Sequence, residues 1–324
     1  MANKVTIVMY HYVRELGYSR YSEIKGLDTN LFREQIAYLK KYYSFITMEQ
    51  LIDALDYNTP LPEKAVLLSF DDAYIDHYTQ VFPILVDNGI QGSFYPPVRA
   101  ITEHRVLDVN KIHFILASVA DKMEVVNEIF KILDQHSDQY ALESNDFYYN
   151  KLAKANRFDT MDVIFIKRIL QVELPEELRL IATDILFKKF VGIEEEAFSR
   201  ELYMNIDQIK TMKKYGMHIG SHGFDHYWLN SLTKEQQDVE IKKSLEFIKD
   251  IGGDVDNWTM CYPYGGYNDD TLSILKKYKC KLALTTIVNV AHVNPHKRFE
   301  LERLDTNDIP KDRNSEPDKW YTKA

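Results

Sequence analysis

Ala65-Val66-Leu67-Leu68-Ser69-Phe70-Asp71-Asp72-Ala73 is the stretch from which the rest of the chain is read. Ala65 to Phe70 is short, almost wholly apolar and without helical spacing, the pattern of a strand buried on both faces. It ends in two adjacent carboxylates. Neighbours on a strand point to opposite faces, but where a strand ends the chain turns and both groups can reach one pocket. Alone, such a pair reads more readily as a solvated loop start or a helix cap. A second stretch changes that reading. Ser221-His222-Gly223-Phe224-Asp225-His226 comes after another short apolar run and sets two imidazoles with three residues between them. One carboxylate and two imidazoles are the donor set of a catalytic zinc-type site that keeps a position open for water. The remaining carboxylate is free to act as a base beside that water. The sum points to a metal-assisted hydrolase.

These strings resemble known motifs. Ser69-Phe70-Asp71-Asp72-Ala73 is similar to the T/S-F-D-D-G motif of the polysaccharide deacetylases, the carbohydrate esterase family 4 or NodB-homology group. Ser221 to His226 resembles that family's second, histidine-bearing motif, and Cys261-Tyr262-Pro263-Tyr264-Gly265 its third, R-x-P-Y-G. Their order along the chain makes the three more specific than any one. The resemblance implies an α/β fold, a distorted (β/α) barrel of about seven strands. It also implies one divalent metal held by Asp72, His222 and His226, zinc by first choice with cobalt or nickel as alternatives. Asp71 is then the general base, and the backbone N–H of Tyr264 serves the oxyanion. The family's glycine is Ala73 here, and its third-motif arginine is Cys261. Arg303, in the strand-like run Phe299 to Leu304, resembles a late arginine of rearranged relatives and is the candidate to orient the base. In that branch the acid histidine precedes the D-D motif. Met9-Tyr10-His11 matches this arrangement, so His11 is the expected general acid, with His292 and His296 in reserve. Asp225 reads as a solvated carboxylate. Trp228 and Tyr95-Pro96 could line a sugar platform, although aromatic residues are more often core.

Around the motifs, strand-like and helix-like segments alternate. Val5 to Tyr10 is followed by a helix over Asn30 to Tyr43, with Thr29 as its cap. A helix over Met48 to Leu55 has a Thr47–Gln50 capping box. Helix Tyr74 to Asn88 stops at Gly89. The strands Gly92 to Tyr95, Met217 to Gly220, Trp258 to Tyr262 and Leu282 to Thr286 alternate with helices Lys234 to Ile251 and Asp270 to Tyr278. Such alternation predicts parallel pairing, and motifs at strand C-termini predict a site at a barrel mouth. Between about 103 and 205 the strand signals cease and helical periodicity takes over. The expected organisation is one barrel domain over 1–310, a helical insertion over 103–205 and a loose polar tail over 311–324. The insertion reads as padding or as a lid, specificity or oligomer surface.

The 324 residues carry 40 Lys and Arg against 49 Asp and Glu, a formal charge of −9, with no basic block. A nucleic-acid partner is not expected. Cys261 and Cys280 fall in apolar segments and read as buried small hydrophobes. No apolar run approaches membrane-spanning length, and Met1 to Lys4 lead straight into a strand, so a cytoplasmic location is expected. The resemblance implies an N-acetylated sugar or sugar conjugate as partner, and with that location a precursor in surface polysaccharide (O-antigen or capsule) assembly is expected. Two other readings stay open: hydrolysis of a non-sugar amide, as in the allantoinase-like branch of the fold, and an inactive carbohydrate-binding protein. The second would need neither the base nor the acid.

Overall fold

Parallel strands that pair around a ring organise the part of the chain that bears the motifs. The structure, a computed structural model, describes residues 4–156 and 159–324. Strand β1 (Lys4–Tyr10) pairs in parallel with β2 (Ala65–Asp71), placing Tyr10 beside Phe70. Strand β2 pairs with β3 (Gly92–Tyr95), and β3 with β4 (His218–Ile219). A bridge from Ser221 to Met260 carries the ladder to β5 (Met260–Cys261), which pairs with β6 (Ala283–Leu284). A further bridge joins Leu284 to Leu301, whose segment runs into β7 (Leu304–Asp305), and β7 lies against β1. The ladder thus returns to its first strand, the α/β barrel expected from the sequence. Every residue of β2 is buried, as a strand with a packed interior on one face and helices on the other must be.

Most predicted elements sit where the periodicity put them, and the differences have local causes. Helix α1 is Thr29–Tyr42, but its cap is Asp28, whose side chain accepts from the Asn30 N–H; Thr29 is already inside the first turn. Helix α2 (Met48–Tyr57) keeps the Thr47–Gln50 box. The run Ile75 to Asn88 is continuously helical, as expected, but widens into a π-type turn over His77–Val81 before α3 (Phe82–Asn88), which ends at Gly89 with φ 65°. Pro83, which cannot donate a backbone bond, falls just after the widened turn. The segment after Pro310 is not loose. Trp320 is buried in the core and Arg313 grips the Glu34 carboxylate through both Nε and Nη2.

The chain separates into two compact units. The first comprises 1–15, 26–105 and 199–324, and the second 16–25 and 106–198. The second is helical, with Asp108–Ser118, Lys122–Tyr140 and Glu176–Phe190 as its longest helices. Inside it, Lys111 is buried and neutralised by Asp184 at 2.5 Å and Glu195 at 3.0 Å. The early segment 16–25 joins this unit: Tyr21 packs its ring against Phe114 and Phe198, and Lys25 pairs with Asp159. No periodicity in the sequence announced that.

Candidate active site

Strand β2 delivers Asp71 as its last residue, and the next two residues leave the strand in left-handed conformations, Asp72 at φ 74° and Ala73 at φ 56°. This double turn ends the strand's alternation and lets both carboxylates serve one pocket. Glycine adopts such a conformation freely, whereas a residue with a β-carbon gives up roughly 1–2 kcal/mol, so the alanine at this position costs stability. Flanking backbone bonds hold the turn: Asp72 N–H donates to the Tyr95 carbonyl, and Met204 N–H donates to that of Ala73. His226 at φ 57° and Tyr264 at φ 57° share the left-handed state. Four of the nine non-glycine residues with positive φ among the described residues lie here, where side chains must be aimed.

Asp72, His222 and His226 converge. The Asp72 Oδ1 lies 3.4 Å from His222 Nε2 and 3.2 Å from His226 Nε2. All three residues are buried, and their ligand atoms fall within 4.8 Å of one another. The Nδ1 of His222 lies 2.7 Å from the Cys261 carbonyl, a contact that requires an N–H there and leaves the Nε2 lone pair for the centre. Tyr74 donates its hydroxyl to Asp72 Oδ2 at 2.7 Å. The other oxygen, Oδ1, is buried and has no hydrogen-bond partner among the described residues. A buried carboxylate oxygen that faces two imidazole nitrogens is the mixed donor set that suits a divalent cation. Burial opposes ionisation of Asp72, but His226 and His222 outweigh it and hold the carboxyl well below its usual range. The two imidazoles diverge. Burial is overcome at His222 by Cys261 and Asp72, which raise it, whereas burial prevails at His226 and lowers it.

Asp71 has other company. Arg303 Nη1 sits 3.0 Å from its Oδ1 and 2.9 Å from its Oδ2, and the Arg303 side chain has no exposure. Arg303 is itself fixed by its Nε on the Thr285 carbonyl and by Nη1 on the Ser69 hydroxyl. The Cys261 thiol lies 3.4 Å from both carboxylate oxygens. Burial opposes the charge on Asp71, yet Arg303, with His222 and His11 behind it, keeps the group ionised. Thus the position that carries arginine in the motif holds a thiol, and the guanidinium arrives from β7's approach instead. His11 comes directly after β1, with 40% of its side chain exposed and Nε2 4.0 Å from Asp71 Oδ2. Its carbonyl accepts from the buried His77 Nε2 at 2.8 Å. His292 stands elsewhere: it pairs with Lys4, at the far end of β1 from His11 and about 20 Å away at strand spacing. His296 is exposed in the short turn after it.

Tyr264 lies on the turn after β5, its ring 4.7 Å from that of His226 and stacked at 4.6 Å and 3° on Trp228. Tyr95 is wholly buried, with its hydroxyl on Thr259, and so is core rather than platform. Asp225 is not a solvated carboxylate, because the Arg99 guanidinium pairs with it. Sequence reasoning passed over Tyr74, Arg99, His77 and Glu240. Only Tyr74 carried a usable signal, lying two residues beyond Asp72; the others are ordinary helix or turn residues until the chain folds.

The sequence profile of the polysaccharide deacetylase family matches residues 190–283, a stretch that includes His222, His226 and Tyr264 but not His11, Asp71, Asp72 or Arg303. The chain is 46% identical over 61 residues to the poly-β-1,6-N-acetyl-D-glucosamine N-deacetylase of Escherichia coli K12, 18% of this chain but only 9% of that protein. Its fold is similar to Streptococcus pyogenes deacetylase PplD (TM-score 0.57, 19% identity, 94% of this chain and 93% of that one). It is similar also to IcaB from Ammonifex degensii (TM-score 0.53, 17% identity, 99% and 95%).

Proposed function

We propose, from the profile match over residues 190–283 and the similarity of fold, that this chain is a metal-dependent carbohydrate N-deacetylase that removes an acetyl group from an N-acetylated amino sugar. One observation carries the reading. The Asp72 Oδ1 is buried without a hydrogen bond between two imidazole nitrogens, while Asp71, next in the chain, is kept anionic by a buried arginine. A lectin has no use for that second arrangement.

Asp72, His222 and His226 would hold the cation, with zinc, cobalt and nickel all compatible with a mixed imidazole and carboxylate set. Once bound, a divalent cation polarises an amide carbonyl and lowers the pKa of a water molecule. Asp71, ionised and fixed by Arg303, takes the proton of the attacking water. The Tyr264 backbone N–H meets the negative charge that grows on the carbonyl oxygen. His11 reaches the pocket from the end of β1 and supplies a proton to the departing amine, which is otherwise a poor leaving group.

The named substrate of the Escherichia coli relative supports an N-acetylglucosamine unit. As the physiological form we propose a precursor of surface polysaccharide, O-antigen or capsule, handled in the cytoplasm. The test measures acetate release by zinc-, cobalt- and nickel-loaded protein from three substrates: β-1,6-linked N-acetylglucosamine oligomers, UDP-N-acetylglucosamine and a lipid-linked N-acetyl sugar. Release from the oligomer alone would remove the precursor while leaving the deacetylase. Release from none, with hydrolysis of a cyclic amide instead, would move the chain to the amidohydrolase reading.

A further inference from the structure

Between the two histidines lies Gly223-Phe224-Asp225, which contributes no side chain to the chemistry and yet is gripped from two sides. From one side comes Glu240 of the helix Lys234–Asp250, only 7% exposed. Its Oε2 accepts from the Phe224 N–H at 3.0 Å and from the Asp225 N–H at 2.8 Å. From the other side comes the short helix Val98–Thr102. Its Val98 and Arg99 N–H groups donate to the Gly223 and Phe224 carbonyls, and the Arg99 guanidinium pairs with Asp225. Gly223 takes φ 75° without strain, as glycine can, but the loop's other end is strained, with His226 at φ 57°. Left-handed residues persist only where surrounding contacts over-determine them. Two backbone donors converging on one buried carboxylate oxygen are such contacts.

We propose that Glu240 is a positioning residue of the metal site: it fixes the Phe224 and Asp225 amides and, through them, the spacing and pitch of the His222 and His226 imidazoles. The inference rests on the metal reading of Asp72, His222 and His226. It concerns a different link, from the Lys234–Asp250 helix to the ligand loop. The gain is preorganisation. A cation that finds both nitrogens already placed need not order a loop as it binds, and loss of an outer-shell partner of metal ligands typically lowers metal affinity by about 10–100-fold.

The test is zinc affinity by competition with a chromophoric chelator, paired with urea unfolding of the metal-free protein. Glu240→Ala removes the acceptor, and a fall of about 10–100-fold in zinc affinity is expected. Glu240→Gln keeps an acceptor oxygen in the same place and should restore affinity to within about threefold. The cobalt-loaded Glu240→Ala protein should also show an altered visible spectrum, because the imidazole geometry changes. If Glu240→Ala does not fold, Glu240→Asp, with its carboxylate set back by one methylene, should show an intermediate loss. A lowered urea midpoint with unchanged zinc affinity would overturn the proposal and leave Glu240 as an ordinary structural contact. A Gln variant as weak as the Ala variant would overturn the acceptor role. Wild-type protein that takes up no zinc, cobalt or nickel would overturn the metal reading first, and this inference with it.

Discussion

Asp71 and Asp72 are joined by one peptide bond, yet the two sides of the pocket they face are built differently. On the Asp72 side stand two imidazoles, a tyrosine hydroxyl and an oxygen with no donor, from segments just beyond β2 and β4. On the Asp71 side stand a buried guanidinium, a thiol and a half-exposed imidazole, from the approach to β7, from β5 and from the end of β1. One carboxylate is short of a cation; the other already has one. The difference teaches that a D-D pair is not a redundant double charge. Its members are given separate work by the groups that other strands bring to each.

The largest effect should separate the two at once. Asp72→Asn is expected to abolish stoichiometric zinc in elemental analysis. Asp71→Asn should retain zinc and lose turnover by about 10²–10⁴, the usual worth of a general base. Zinc lost from the Asp71 variant and kept by the Asp72 variant would reverse the assignment. Next comes Arg303→Met. It strands a buried carboxylate, for which the cost of breaking a buried pair is about 3–5 kcal/mol in urea unfolding. Adding Asp71→Asn should recover much of that, because no charge is then left unpaired. An Arg303→Met cost under about 1 kcal/mol would mean that the pair is not the buried unit described.

A third test uses pH. Burial pushes His77, which holds the His11 carbonyl, down from 6.5 to about 4. The unfolded chain therefore binds a proton that the folded chain refuses. This contribution to stability is full above about pH 6.5 and falls by about 3 kcal/mol as the pH drops to 4. The urea midpoint of His77→Phe should lose that share of the acid slope, and an unchanged slope would show that His77 titrates normally. The smallest effect is expected of Tyr74→Phe. Losing one hydroxyl on Asp72 should weaken zinc by about tenfold, the lower end for an outer-shell partner, with the apo protein's urea midpoint nearly unmoved. A drop in turnover at full zinc occupancy would instead place Tyr74 in the Asp71 half.

The order of elements was legible because the barrel strands are short apolar runs closed by turn signals, and several helices open with a visible cap. Thr47–Gln50 and Thr233–Gln236 both form their boxes. The misreadings were local. Asp28 caps where Thr29 was expected, and an apolar tryptophan near the end of a polar tail finds the core. Segment 16–25 joins the helical unit through a tyrosine and a lysine whose partners lie far along the chain, beyond the reach of any window of periodicity.

The sequence by itself determined four residues of the pocket and their place at strand ends. Asp71, Asp72, His222 and His226 come at or just after apolar runs, and local physics suffices to make such runs strands and the polar residues beyond them loops. Tertiary structure alone decided the partnerships. Arg303 and His11 are separated by nearly the whole chain, and they meet Asp71 because β7 closes the ring against β1. Glu240 reads as one more charge on a surface helix until it is buried against two amides. Burial makes the choice: a charge removed from water must find a partner wherever the fold offers one, and sequence distance plays no part in that.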